Sequence, residues 1–306
     1  MQKDLEINVI IVALVGGEAL ESCIQSLISI RERCVVVLGG DMGNTSMWER
    51  HYPKVKFLEG EHLPVPLKRR LGIDAVEGDV VALLEDTSVP DKGWLNSIRL
   101  AFEDNRITAV GGPVLISPSL PMKFKALACG EYGRFHPHRF ALLATAKETI
   151  RGLMVVSRLP GNNLAYRRGD LMKVLDQSDK GLIEGEVNDI LLKSGHHLAF
   201  HPDMKVIYSV ADEYGASLKT RVQHGRIYGS NRVKGCGRIV RFVCFIKSFI
   251  LPAVLSGRAI INMKYAIKPS SWLSVLFWIC LMESAWACGE AMGYLMGEGR
   301  SIEAWR

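Results

Sequence analysis

The chain has 306 residues, 48% of them hydrophobic, and a formal net charge of +6. That length suits one large α/β domain with an appendage. The mild positive balance suits a phosphate-bearing ligand or an anionic membrane surface and falls short of a nucleic-acid binder. The seven cysteines (Cys23, Cys34, Cys129, Cys236, Cys244, Cys280 and Cys288) contain no Cys-x-x-Cys pair, which argues against a zinc site or disulfide framework and for a reducing, cytosol-facing environment.

In chain order, Ile7 to Val15 reads as a strand buried on both faces. The apolar run Val9 to Leu14 is too short for a signal-peptide core. Leu20, Ile24, Leu27 and Ile28 recur at helical spacing. Val35 to Leu38 reads as a second strand closed by Gly39-Gly40-Asp41, and Val55 to Leu58 as a third. A helix over Leu67 to Ala75 and a strand over Val80 to Leu84 follow. This alternation predicts a mostly parallel sheet flanked by helices. Val110 to Ile116 is expected as one further strand, and residues 118–160 as an irregular acceptor-side region.

The composition shifts near residue 236, so the expected division is residues 1–235 and residues 236–306. Ile239, Phe242, Val243, Ile246, Phe249 and Ile250 line one helical face, with Arg238, Arg241 and Lys247 off it. Pro252 is expected to kink or end that helix. The run Trp272 to Met296 is long enough to cross a membrane, yet it carries Glu283 and Glu290, and basic residues flank both of its ends. Helices lying in the membrane interface are therefore expected, anchored by Trp272, Trp278 and Trp286. An ordinary helical subdomain packed on the core is the plainer alternative.

The chemistry centres on Glu85 and Asp86, two acids ending a buried strand, where open α/β sheets bind ligands. Adjacent carboxylates repel unless a cation or polar ligand lies between them. Further along, Glu184 and Glu186 precede a helix whose buried face is Val187, Ile190 and Leu191 and whose stop is Ser194-Gly195. Acids there also complement a helix dipole without any catalytic role.

The string VALLEDTSVPDKGWL resembles the Asp-x-Asp segment of family-2 glycosyltransferases, enzymes of GT-A fold. Lys68-Arg69-Arg70-Leu71-Gly72-Ile73 is similar to the family's Ala-Arg-Asn-x-Gly-Ile, and Pro160 to Arg167 to its Pro-Gly-Asn-Asn-x-Ala-Tyr-Arg. The string Cys288 to Gly297 resembles a C-terminal motif of membrane-associated bacterial-type members. The resemblance implies a GT-A-like domain with a helical membrane-associating C-terminal region. It implies an inverting, hexosyltransferase-like enzyme that moves a sugar from a nucleotide-diphosphate sugar to a lipid-linked or cell-surface polysaccharide acceptor. The expected place of work is the cytoplasmic face of the cell membrane, with peripheral or monotopic attachment.

Glu184 aligns with the family's general base, with Glu186 and Asp189 as lesser candidates. Glu85 and Asp86 would hold Mg2+ or Mn2+. Asp41, Arg69, Asp86, Gly161, Asn162, Asn163 and Arg226 would grip the donor, although the two asparagines could instead fix their loop and Arg226 could sit on a helix face near a membrane. The sequence departs from the pattern at Thr87 and Ser209, hydroxyls where the family has an acid and a histidine. The metal is therefore expected to bind weakly without donor, with His201 or His224 as conceivable substitutes. A catalytically silent nucleotide-sugar-binding protein at the membrane is the alternative. A nucleotidyltransferase is disfavoured, because no Gly-rich phosphate loop followed by a reactive lysine comes after the first strand.

Overall fold

A computed structural model of the chain describes residues 5–28, 33–39, 45–138, 148–210, 213 and 217–305. They form two compact units: residues up to 115 with residues 148–210, and residues 116–138 with residues 213–305. In chain order the first unit runs β1 (Ile7–Val12), α1 (Gly17–Ile28), β2 (Arg33–Leu38), α2 (Thr45–His51), β3 (Val55–Glu59) and α3 (Val65–Asp74). It continues with β4 (Val80–Glu85), β5 (Ser88–Pro90), α4 (Trp94–Phe102), β6 (Ile107–Gly111) and β7 (Val114–Ile116). The second unit opens with α5 (Met122–Glu131). The first resumes with β8 (Thr149–Ile150), β9 (Leu153–Val156), β10 (Asn163–Arg167), α6 (Arg168–Leu175), α7 (Glu184–Lys193), β11 (His197–Phe200) and β12 (Val206–Tyr208). The second unit then completes itself with α8 (Leu218–Arg232), α9 (Arg238–Ser248), α10 (Leu251–Ala266) and α11 (Trp272–Met296).

The first unit is built on a sheet ordered β3-β2-β1-β4-β10-β6-β11-β9-β8. Strands β3, β2, β1 and β4 pair in parallel. β10 runs against both β4 and β6, and β11 is again parallel to β6. The sheet is thus mostly parallel with β10 and β9 reversed. β1 and β4 read as continuous apolar runs because both their faces are covered, and every residue of β1 is buried. A second, smaller sheet is ordered β5-β12-β7.

Three sequence expectations shift. β1 stops at Val12, because the amides of Leu14, Val15 and Gly16 turn to the Asp86 carboxylate and leave the strand ladder. The run 110–116 is two strands in different sheets. It breaks at Gly112-Pro113, where Pro113 has no N–H to offer a ladder and a methyl on Gly112 would come within 2.0 Å of the Met204 carbonyl. Residues 118–160 contain α5 and the β8–β9 hairpin, so the segment is more regular than its composition suggests.

In the second unit α8 and α11 lie side by side in the same direction, with their backbones in contact. A methyl on Gly225 would come within 2.2 Å of the Trp286 carbonyl, and one on Gly289 within 2.0 Å of the Val222 carbonyl. Gly229 and Gly293 repeat this one turn later, against Glu290 and Arg226. Small residues four apart permit this close approach, which gives the glycines of the C-terminal string a structural purpose. Ala126, Cys129, Ala259, Met263, Ile267, Val275 and Ile279 form an apolar core between α5, α10 and α11. α9 ends before Pro252, which sits in the first turn of α10, where its missing N–H costs no hydrogen bond. The tryptophans expected as interface anchors are engaged inside this unit. Trp272 Nε1 donates to the Ile267 carbonyl, Trp278 packs against the core, and Trp286 donates to Glu290 beneath the Arg221 guanidinium.

Gly289→Ala should destabilise the protein by about 1–3 kcal/mol, since the added methyl meets backbone that cannot step aside. Gly257→Ala, on an open face of α10 with nothing within 4 Å, should be neutral or slightly stabilising. Urea unfolding of both variants checks the pair.

Candidate active site

The centre of the site is a guanidinium between two acids. Arg69, in the first turns of α3, donates from Nη2 to Glu85 Oε1 at 2.9 Å and from Nη1 to Glu184 Oε2 at 2.6 Å. Glu85 is the last residue of β4 and Glu184 the first of α7. The sheet brings β4 to its centre, and the turn at Gly181 (φ +77°) lays the start of α7 against Pro66 of α3. Three residues far apart in sequence therefore meet at the carboxyl end of a central strand. Arg69 is only 2% exposed, whereas Glu85 and Glu184 keep 13% and 26% of their side chains exposed. The arginine lies behind and the acids face outward. Burial alone would lower the basicity of Arg69, but Glu184 and then Glu85 outweigh it and hold the guanidinium firmly charged.

Gly161 is fitted to this bridge. Its carbonyl accepts from Arg69 Nη2 at 3.4 Å, and a methyl there would come within 2.6 Å of Glu184 Oε1. The next two residues serve the loop. Asn163 accepts from Trp94 Nε1 and donates to the carbonyls of Pro113 and Met204. Its amide is fully used, so of the two roles expected for Asn163 the structure favours fixing the loop over gripping the donor. Asn162 donates to Ser88 Oγ at 2.8 Å, and its own carbonyl oxygen is buried with no hydrogen-bond partner.

Asp86 also takes a structural part. It is fully buried, and its carboxylate accepts from the amides of Leu14, Val15 and Gly16 at 2.7–2.9 Å. That carboxylate shapes the β1–α1 loop and is turned away from Glu85's side of the strand. Thr87 Oγ1 is buried without a partner, while the Thr87 carbonyl receives the Ser209 amide at 3.1 Å. The two hydroxyl residues thus lie together, joined through the backbone. His201 Nδ1 accepts from the Asp203 amide, and His224 packs against Trp305 in the second unit, with ring centroids 4.7 Å apart and the planes tilted by 56°. Among the described residues, no three His, Cys, Asp or Glu side chains gather to hold a metal ion. At the end of β4, among the described residues, Glu85 is the carboxylate left over from the loop amides, and it already has Arg69 as its counter-charge. These residues do not make a resident Mg2+ or Mn2+ site.

Of the remaining expected residues, Glu186 takes no part in the bridge, and Asp189 pairs with Arg158 at 2.6 Å. Arg226 belongs to the second unit, where its Nε donates to the Gly297 carbonyl at 2.8 Å. Asp41 lies outside the described residues. The sequence reading passed over Lys68. This lysine is 1% exposed, and its ammonium lies where a methyl on Gly39 would come within 2.0 Å of Nζ, at the carboxyl end of β2. The available signal was the glycine at 39 facing a basic residue on the next helix but one.

No protein-family model and no curated protein sequence matches the chain. Among solved structures it is similar to a mannosyltransferase, PcManGT from Pyrobaculum calidifontis, in complex with GDP-Man and Mn2+. The TM-score is 0.50 at 12% identity, over 96% of this chain and 74% of that one. It is also similar to GalNAc-T7 with UDP, GalNAc and Mn2+, with a TM-score of 0.50 at 14% identity over 74% of this chain. The match spans about half of GalNAc-T7, 48% of its length. At such identities the likeness speaks for the fold: the chain has a GT-A-type α/β architecture.

Titrating Mn2+ or Mg2+ into nucleotide-free protein should give no binding in the micromolar range by calorimetry, because a hard cation needs several oxygen ligands and the strand end offers a single, already paired carboxylate. A micromolar site in that titration would mean that a cation cage assembles from other residues.

Proposed function

We propose that this chain is an inverting glycosyltransferase of the membrane-associated, bacterial family-2 type, hexosyltransferase-like. It would move a sugar from a nucleotide-diphosphate sugar to a lipid-linked or cell-surface polysaccharide acceptor. The observation that carries the reading is the Arg69 bridge, which sets Glu184 at a helix start beside the strand-end acid Glu85. The GT-A architecture adds support, as do the sugar nucleotide and nucleotide named with the two similar structures.

In this reading Glu184 takes the proton of the acceptor hydroxyl. The acceptor oxygen attacks the anomeric carbon from the side opposite the leaving group. The bond from that carbon to the phosphate oxygen breaks, its electron pair departs with the nucleoside diphosphate, and the anomeric configuration inverts. Arg69 holds the base in place, and the fixed bridge avoids reorganisation when charge moves. Attachment to the cytoplasmic face of the cell membrane through the C-terminal helices would bring a lipid-linked acceptor to the site.

The alternative is a catalytically silent protein that binds nucleotide-sugar at the membrane. It draws on Thr87 and Ser209, hydroxyls at positions where an acid and a histidine were expected. Hydrolysis of a nucleotide-sugar without acceptor would separate the two, because a silent binder turns nothing over.

Glu184→Gln should lower transfer by roughly 100-fold or more while donor affinity stays within about threefold, because a general base acts on the acceptor proton in the transition state. Isothermal titration with the donor and a product assay check both halves. Transfer above about a tenth of wild type would move the base elsewhere.

A further inference from the structure

We infer that α9 is the element that meets the membrane, lying flat on an anionic lipid surface, and that the longer and more apolar α11, although only a third of it is buried, is tied to the protein by its polar side and does not cross the bilayer. This rests on the membrane attachment proposed above and decides which helix performs it.

By length and composition α11 is the natural candidate for a span. The segment Pro269–Met296 is apolar enough to cross a membrane. Its surroundings say otherwise. Glu283 lies 3.5 Å from Arg221 of α8, which also pairs with Glu131 of α5. Glu290 accepts from Trp286 Nε1 and from the Tyr294 hydroxyl. Both acids of α11 are buried, at 5% and 2% exposure, so its polar side faces protein. The helix against it is α8, joined backbone to backbone through the four glycines. α8 carries Lys219, Arg221, Gln223, His224, Arg226, Asn231 and Arg232. A helix that polar has no place in hydrocarbon, and α11 cannot enter without taking α8 along.

α9 is the converse case. Its sequence is amphipathic, yet only Ser248 of its residues is buried, and none of its apolar residues belongs to the core between α5, α10 and α11. Ile239, Phe242, Ile246, Phe249 and Ile250 are between 50% and 81% exposed. Phe242, Phe245 and Phe249 form a ladder of rings along this face. At about 1.5 Å per residue the helix is roughly 16 Å long, half of what a span requires. Together with α10 it is long and apolar enough for a broken span, but the two bend by 57°, and α10 is itself fixed by the bond from Asn262 to the Cys129 carbonyl.

The charge identifies the occupant. α9 has Arg238, Arg241 and Lys247 and no acid. An exposed apolar stripe with basic residues alone beside it complements a bilayer bearing anionic headgroups. Each basic residue near such a surface strengthens partitioning roughly fivefold.

The test is co-sedimentation of the full chain with vesicles of phosphatidylcholine alone and of phosphatidylcholine mixed equally with phosphatidylglycerol. Wild type should bind the mixed vesicles at least about tenfold more strongly and be released by alkaline carbonate, which leaves true spans in place. Phe242→Glu with Phe249→Glu should weaken binding more than about tenfold. Leu273→Glu with Phe277→Glu, at the exposed start of α11, should change it less than about twofold. The Phe residues are exposed, so folding should survive. Circular dichroism checks this, and Phe249→Glu alone replaces the double variant if needed. Resistance to carbonate, or loss of binding in the α11 variant but not in the α9 variant, overturns the assignment while leaving membrane attachment intact. Wild type that binds no vesicle overturns both. A dimer in solution that the α9 variant dissociates would give this face to a second copy and also overturn it.

Discussion

A guanidinium removed from water needs carboxylates around it, and Arg69 has two from separate elements of the fold. Neither acid could be placed so closely by its own element. Glu85 rides at the end of β4, and Glu184 would be one more acid at a helix start. The shared cation offsets their repulsion and fixes the distance between them. Removing one partner of such a buried pair typically costs about 3–5 kcal/mol. Several neighbouring features follow from it: the glycine at 161, the close seating of residue 181 on α3, and the orientation of the base candidate.

The strands around the bridge were legible in the sequence, but the bridge was not. The apolar runs of β1 and β4 announced strands covered on both faces, and the acids at 85 and 184 marked a strand end and a helix start, while Arg69 was expected at the donor. The sequence could not reveal how side chains divide their bonds. Glu85 and Asp86 look equivalent as letters. The strand's alternation sends one towards Arg69 and the other towards three loop amides. Asn162 and Asn163 look like a pair of ligand-binding amides, yet Asn163 is fully used in holding Trp94 and two carbonyls. Strand β10 was hidden because its motif reads as a loop, and a central antiparallel strand breaks the expected alternation.

The C-terminal unit teaches the same lesson through hydropathy. A stretch of 25 residues as apolar as α11 resembles a span until its neighbours are seen. Its buried acids and its glycine seam with α8 tie its polar side to protein, although much of its apolar side is exposed. The shorter α9 wastes its apolar face if the protein never meets another surface. Window averages record how apolar a helix is, and only packing shows where that surface goes.

The account depends on the coupling of Arg69 to Glu184. A double-mutant cycle with Arg69→Met and Glu184→Gln, read by urea unfolding, measures it directly. A buried, bonded pair should show a coupling energy of about 2 kcal/mol or more, with the double variant less damaged than the sum of the two single variants. Simple additivity within about 0.5 kcal/mol would contradict the claim that this bridge builds the site.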